Sequence, residues 1–107
     1  MKTTVTHKTT INKAMAKVNT YFDGMTKRSF PKGIRIHNPI KKWDGSKMTF
    51  SITVKKGFFI SVTTNGSVIV SSKDVTFSLG LPDLIKKFSS EEEIKNFIEK
   101  ELHELFS

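Results

Sequence analysis

The hydrophobic residues of this 107-residue chain change their spacing twice, and those changes limit the folds open to it. Between residues 11 and 25 the apolar side chains recur every three or four positions, as on one stripe of a helix. Between residues 48 and 79 they alternate with polar side chains, as in strands with one buried face. From residue 94 to residue 106 the helical spacing returns. Elements that each have one apolar side predict a single α+β domain, with both helices on one face of an antiparallel sheet.

The N-terminal part predicts one strand followed by one helix. Residues 2–8 are rich in β-branched side chains and are typical of a short strand. The helix is predicted over residues 10–24, because Thr9 or Thr10 can cap its start and Gly24 is a suitable stop. Its apolar stripe consists of Ile11, Ala14, Met15, Val18, Phe22 and Met25.

The middle of the chain predicts a β-meander over residues 46–79, in a sheet of about four to six strands. Asn65-Gly66 is a strong hairpin signal, because both central positions of a type I′ turn need positive φ. Short turns make consecutive strands antiparallel neighbours. The residues predicted to face inward are Met48, Phe50, Ile52, Val54, Phe58, Ile60, Val62, Val68, Val70, Val75, Phe77 and Leu79.

The opposite face of this sheet is predicted to be rich in hydroxyl groups. Phe59 and Ile69 interrupt it, either as an edge packed under a loop or as a small homodimer contact. We favour the first interpretation, since scattered exposed apolar residues are common on monomers. The hydroxyl residues are Thr49, Ser51, Thr53, Ser61, Thr63, Ser67, Ser71, Thr76 and Ser78.

The C-terminal part predicts a short helical stretch and then a long helix. Pro82 suits a first helical position, and Leu81, Leu84, Ile85 and Phe88 share one face. Ser90-Glu91-Glu92-Glu93 is a capping box that begins the long helix. Its apolar stripe consists of Ile94, Phe97, Ile98, Leu102, Leu105 and Phe106.

Residues 26–42 form the least regular and most basic part of the sequence. Gly33 to His37 are typical of a short strand, which Asn38-Pro39 would break. The segment is therefore either a basic loop or an extra edge strand, and the pattern does not decide between them.

Positive charge is concentrated in the first half of the chain. The net charge is +8, and residues 1–56 hold thirteen basic residues against two acids. Such a half can bind nucleic acid, an anionic surface or an acidic protein. Only two of the basic residues are Arg, the residue best suited to phosphate and base recognition, so a solvated lysine face is favoured. The candidate anion-binding residues are Lys13, Lys17, Lys27, Arg28, Lys32, Arg35, Lys41 and Lys42.

The sequence offers no arrangement typical of catalysis or metal binding. The absence of Cys excludes disulfides, thiolate nucleophiles and cysteine-based zinc sites. His7, His37 and His103 have no metal-binding spacing. The acids are explained by capping and by turns. We therefore predict no catalytic residue, no metal and no cofactor.

For two segments that contain aromatic residues, a structural role is favoured over a role in ligand binding. Lys56-Gly57-Phe58 begins like a ribonucleoprotein motif, but the later positions differ and no helix pattern follows. Trp43 is the sole Trp and is predicted to cap the edge of the core. No stretch is apolar enough for a membrane span or a secretory signal, so a cytoplasmic location is expected.

The order of elements and one motif resemble those of a bacterial protein family. The motif is Trp43-Asp44-Gly45-Ser46-Lys47-Met48-Thr49-Phe50, with a His-bearing strand and a striped helix before it. A strand led by Gly57, then Leu79-Gly80 and a Glu/Ile-rich helix, follow. The chain resembles the small polyhydroxyalkanoic acid system family over nearly its whole length, with a longer segment 26–42 and an insertion over 81–89. The resemblance implies association with polyester granules, and since the family has no established catalytic residues, none is carried over to this chain.

Three functions therefore remain open. We favour a small, cytoplasmic, non-enzymatic binding or accessory protein associated with polyester granules. The first alternative is a weak nucleic-acid or polyanion-binding module that uses the basic half. The second is a small-ligand carrier, which requires a cavity between the helices and the sheet. A homodimer is compatible with each of them.

Overall fold

The computed structural model describes residues 1–58, 60–86 and 89–107, and they form one five-stranded antiparallel sheet with helices. The sheet order is β1-β5-β4-β3-β2, so every neighbouring pair is antiparallel and the α+β prediction is confirmed. The strands are β1 (Lys2–Thr6), β2 (Ile34–Asp44), β3 (Lys47–Lys56), β4 (Ile60–Val70) and β5 (Asp74–Leu79). The α-helices are α1 (Ile11–Asp23), α2 (Asp83–Lys86) and α3 (Glu91–Phe106), and two short 3-10 helices, Met25–Lys27 and Pro31–Gly33, lie between α1 and β2.

Helix α1 lies where the sequence predicts it. The Thr10 hydroxyl accepts a hydrogen bond from the Lys13 amide at 3.1 Å, which satisfies one of the free donors at the helix start. The buried side chains Ala14, Val18 and Phe22 belong to the predicted stripe. Helix α1 therefore packs on the sheet through the apolar face that the spacing of its hydrophobic residues predicts.

The segment of undecided conformation contains an edge strand. Strand β2 runs from Ile34 to Asp44 and pairs with β3 along its length. Asn38-Pro39 does not break the strand, contrary to the prediction. The register shifts between His37 and Ile40, where Asn38 has φ 48°, so the dipeptide forms a bulge. An edge strand tolerates Pro because its outer side needs no amide donor.

The predicted hairpin at Asn65-Gly66 is wrong, because both residues lie inside β4. Gly66 pairs with Phe50 on one side and with Leu79 on the other. A Cβ atom at Gly66 would lie 2.4 Å from Phe50 Cζ and 2.5 Å from the Ser78 carbonyl oxygen. Glycine is therefore needed here because the adjacent strands come too close for a side chain, and the residue does not form a turn.

The two faces of the sheet differ as predicted. The face toward the helices carries the core, and the Phe50 ring contacts Phe22 and Phe77 with centroids 5.3 and 5.7 Å apart. On the other face Thr53 and Thr63 share a hydrogen bond of 3.1 Å across β3 and β4. The predicted hydroxyl residues there are exposed or half-buried. Ile69 is exposed on this face, while Phe59 lies outside the described residues.

The C-terminal elements follow the sequence pattern with small differences. Ser90 caps α3 by accepting from the Glu93 amide at 3.1 Å, as the capping box predicts. In α2, Ile85 is buried, whereas Leu84 is exposed. Phe88, predicted on the same face, lies outside the described residues. Within the described chain no helix is both long enough and apolar enough to cross a membrane.

Candidate functional site

A cavity of about 450 Å³ lies between the sheet and α3. Ile36, Ile52 and Val54 line it from β2 and β3, and Phe97 and Ile98 line it from α3. Fourteen of its twenty lining residues are apolar, and the polar or charged ones are Tyr21, Lys32, Ser89, Glu93, Asn96 and Glu101. The sequence predicted Ile52, Val54, Phe97 and Ile98 on the apolar faces of their strand and helix, but it did not predict that a cavity lies between them.

The cavity lies in the part of the molecule beyond the C-terminal end of α1. Helix α1 stops at Asp23, and its Phe22 contacts Phe50 in the middle of β3. Ile52 and Val54 lie farther along β3, beyond the end of α1, where the chain continues as a short 3-10 helix over Met25–Lys27. We define residues 25–33 as the strap, because this segment crosses from α1 toward β2 and forms one wall of the cavity. Met25 and Phe30 of the strap line the cavity.

Two ion pairs connect the strap to α3. The Arg28 guanidinium lies 2.5 Å from a carboxylate oxygen of Glu101, and the Lys32 ammonium lies 2.7 Å from Glu93. The Glu101 side chain is only 12% exposed, whereas that of Glu93 is 55% exposed. Because solvent screens an exposed pair, the Arg28–Glu101 contact is the stronger of the two.

An aromatic contact lies between the two ion pairs. The rings of Phe30 and Phe97 meet edge to face with centroids 5.8 Å apart, a favoured geometry for aromatic pairs. On α3 the three contacting residues follow one another at intervals of four, which places them on one face of the helix. In the strap, basic, aromatic and basic residues alternate, but this pattern does not by itself identify α3 as their partner. The three contacts are Arg28 with Glu101, Phe30 with Phe97, and Lys32 with Glu93.

Tyr21 completes the polar cluster at the edge of the cavity. Its hydroxyl donates a hydrogen bond of 3.0 Å to Glu101, and the Arg28 guanidinium lies 4.8 Å from the ring centroid. Burial, followed by the nearby Glu101 carboxylate, raises the pKa of the Tyr21 phenol well above its usual value of about 10. Hydrogen bonds from Lys32 and Ser90 lower the pKa of Glu93.

The raised pKa of Tyr21 predicts a loss of stability in alkali. The folded state keeps the phenol protonated, whereas the unfolded chain releases the proton near pH 10. The stabilisation is complete below about pH 10 and is lost as the pH rises toward the folded-state pKa. We expect the unfolding free energy of Tyr21→Phe to fall less steeply than that of the wild type between about pH 9 and 11. Urea unfolding at several pH values measures both slopes, and equal slopes would contradict this assignment.

The predicted anion-binding residues do not share one surface. Arg28 and Lys32 are paired with α3, and Lys41 forms an ion pair with Asp23. Lys17 donates to the Leu105 carbonyl oxygen at 3.3 Å. The other four residues are exposed, and they lie on both sides of the sheet. These four are Lys13 on α1, Lys27 in the strap, and Arg35 and Lys42 on the outer face of β2.

The remaining chemistry-bearing side chains have structural partners or lie apart. His7 is buried, with its Nε2 2.7 Å from the Ser71 carbonyl oxygen while Nδ1 accepts from the Thr9 amide. Trp43 donates from Nε1 to Asn19 at 3.0 Å and packs on the core, as predicted. His37 and His103 are exposed. In the three described ranges no group of three His, Asp or Glu residues could hold a metal ion.

Together these features define a class: an α+β domain with an open, largely apolar cavity between its antiparallel sheet and its C-terminal helix, and with charged side chains at the cavity rim. Comparisons with protein-family profiles, with curated proteins and with solved structures find no match to this chain. The resemblance to the polyhydroxyalkanoic acid system family therefore stays a prediction from the sequence.

Proposed function

We propose that this chain is a non-enzymatic binding protein that holds one small apolar molecule in the cavity between the sheet and α3. The observation that supports the proposal is the cavity itself, whose volume of about 450 Å³ lies within the usual range for small-molecule sites. Of the three functions that the sequence left open, the ligand carrier is the one that requires such a space.

The lining indicates the kind of ligand. The charged side chains at the rim, Arg28, Lys32, Glu93 and Glu101, are paired with one another. Among the described residues no buried side-chain nitrogen or oxygen lacks a hydrogen-bond partner. Most of the lining residues are apolar, so an apolar ligand fits the interior, and each methylene group that leaves water for it contributes about 0.8 kcal/mol. At roughly 30 Å³ for each water-sized group, the space holds on the order of ten to fifteen heavy atoms.

Filling part of the cavity should weaken ligand binding. In Ile52→Phe the larger ring would occupy space that Ile52 now lines, so we expect binding of decanol to weaken at least tenfold. Because the added atoms enter a cavity, the cost in stability should stay below about 1 kcal/mol. Calorimetric titration measures the affinity, and thermal unfolding measures the stability.

The matched control is Ile69→Phe, the same substitution on the outer face of the same sheet, where Ile69 is exposed. It should bind decanol as the wild type does. The proposal fails if the wild type binds no decanol, or if Ile52→Phe and Ile69→Phe bind it equally well.

Granule association is the finer part of the proposal and is supported by the resemblance alone. An apolar cavity is compatible with it, since the monomers of such polyesters carry alkyl chains. The basic half gives the polyanion-binding alternative less support, because Arg28, Lys32 and Lys41 have acidic partners within the chain.

A further inference from the structure

The turn between β3 and β4 carries a fully exposed aromatic side chain. Phe58 is 100% exposed, and it follows Gly57, whose φ of 65° reverses the chain. The sequence predicted Phe58 as an inward-facing residue of the next strand, and the structure shows instead that it stands at the tip of the hairpin. A Phe ring has no hydrogen-bonding group, so water is an unfavourable surrounding for it.

Basic residues lie on the β2–β3 side of this tip. Lys55 and Arg35 are opposite one another in the β2–β3 register and both are exposed, and Lys56 lies next to the turn. Carboxylates are absent from this part of the sequence: residues 24–43 and 45–73 contain no Asp or Glu. Asp44 precedes the other turn of β3 and is therefore at the opposite end of that strand.

The cavity begins close to the same tip. Val54 is four positions before Phe58, and Ile34 is opposite Lys56, and both line the cavity. A partner that contacts Phe58 therefore lies next to the strap and the cavity. The chemistry of this end is an apolar ring at the tip with the exposed basic residues Arg35 and Lys55 beside it, while Glu93 at the cavity rim is paired with Lys32.

We infer that the β3–β4 tip is a docking site for an anionic phospholipid membrane, with Phe58 inserted at the boundary between headgroups and acyl chains. An apolar ring gains free energy when it leaves water for that boundary, and basic residues close to the surface are attracted by anionic headgroups. Nucleic acid fits this end less well, because Arg35 is the only arginine at the tip and the outer face around it is built of Lys, Ser and Thr. This docking goes beyond the proposed ligand binding and does not depend on it.

The test is sedimentation with vesicles of phosphatidylcholine, with and without phosphatidylglycerol. We expect the wild type to bind the anionic vesicles, and we expect the affinity of Phe58→Ala for them to be lower by a factor of about ten or more. The exposed ring belongs to no described core contact, so the substitution should leave the fold intact. The control is Ile69→Ala, which removes an exposed apolar side chain from the outer face and should bind as the wild type does.

Two further measurements separate this inference from its alternatives. Raising the salt from about 0.1 M to about 1 M shortens the Debye length from about 10 to 3 Å and should release most of the bound protein. Decanol titration of Phe58→Ala should equal that of the wild type, which keeps the docking separate from the cavity. The inference is overturned if Phe58→Ala sediments like the wild type, if neutral vesicles bind equally well, or if Phe58→Ala weakens binding to an oligonucleotide but not to vesicles.

Discussion

Gly66→Ala is expected to lower the free energy of unfolding by about 2–4 kcal/mol, the largest effect that we predict for any single methyl group in this chain. The new Cβ atom would lie 2.4 Å from Phe50 Cζ and 2.5 Å from the Ser78 carbonyl oxygen, so both neighbours would have to move. For a domain of this size the loss corresponds to a decrease in Tm of roughly 10–25 °C. Thermal and urea unfolding measure it.

Gly24→Ala is the matched control for this prediction. A Cβ atom at Gly24 would meet the Thr20 and Tyr21 carbonyl oxygens at 3.6 and 3.7 Å, which is ordinary contact. Its φ of −89° also suits Ala, so the change should stay within about 0.5 kcal/mol. Truncating the ring in Phe50→Leu should not rescue Gly66→Ala, because the Ser78 carbonyl oxygen belongs to the backbone. A Gly66→Ala variant as stable as Gly24→Ala would contradict the register of β4.

The periodic segments were predictable because their signals are local. The stripe on α1 and the capping box at Ser90 are each set by residues within a few positions of one another, and both appear in the structure. The Asn65-Gly66 signal is equally local, yet it failed. Position 66 requires glycine because the Phe50 ring and the Ser78 carbonyl oxygen leave no space for a Cβ atom. Both residues lie twelve or more positions away in the sequence. A pattern of two residues cannot distinguish a glycine that turns the chain from one that admits a neighbouring side chain.

The cavity and the strap could not be predicted for a related reason. The residues that line the cavity have the same spacing in the sequence as residues that fill a core. Alternation of apolar and polar residues indicates which face of a strand is buried, but it does not indicate how tightly the side chains on that face pack. Arg28 and Lys32 were interpreted as candidate anion-binding residues because they belong to the strongly basic first half of the sequence. Their partners Glu101 and Glu93 are 73 and 61 positions away. Pairing the strap with α3 requires the fold itself.

Reversing the charge of Arg28 should open the strap and accelerate ligand exchange. In Arg28→Glu a second carboxylate would face Glu101, which is mostly buried and already accepts from Tyr21. Losing this ion pair lowers the free energy that favours the closed strap over the open strap by about 1–3 kcal/mol. Each 1.4 kcal/mol raises the population of the open form about tenfold. We therefore expect dissociation of decanol, measured by NMR exchange, to become at least several times faster.

The charge-swapped variant Arg28→Glu/Glu101→Arg separates this ion pair from a general effect of charge. An arginine at position 101 can donate to the carboxylate at position 28 and to the hydroxyl oxygen of Tyr21, so the swap should recover most of the slow exchange. Lys27→Glu is the matched control, since Lys27 is an exposed strap residue with no ion pair in the described ranges. If Lys27→Glu accelerates exchange as much as Arg28→Glu does, net charge governs entry. If Arg28→Glu has no effect, the strap is not the moving wall, and ligands must enter between the sheet and α3 at another point.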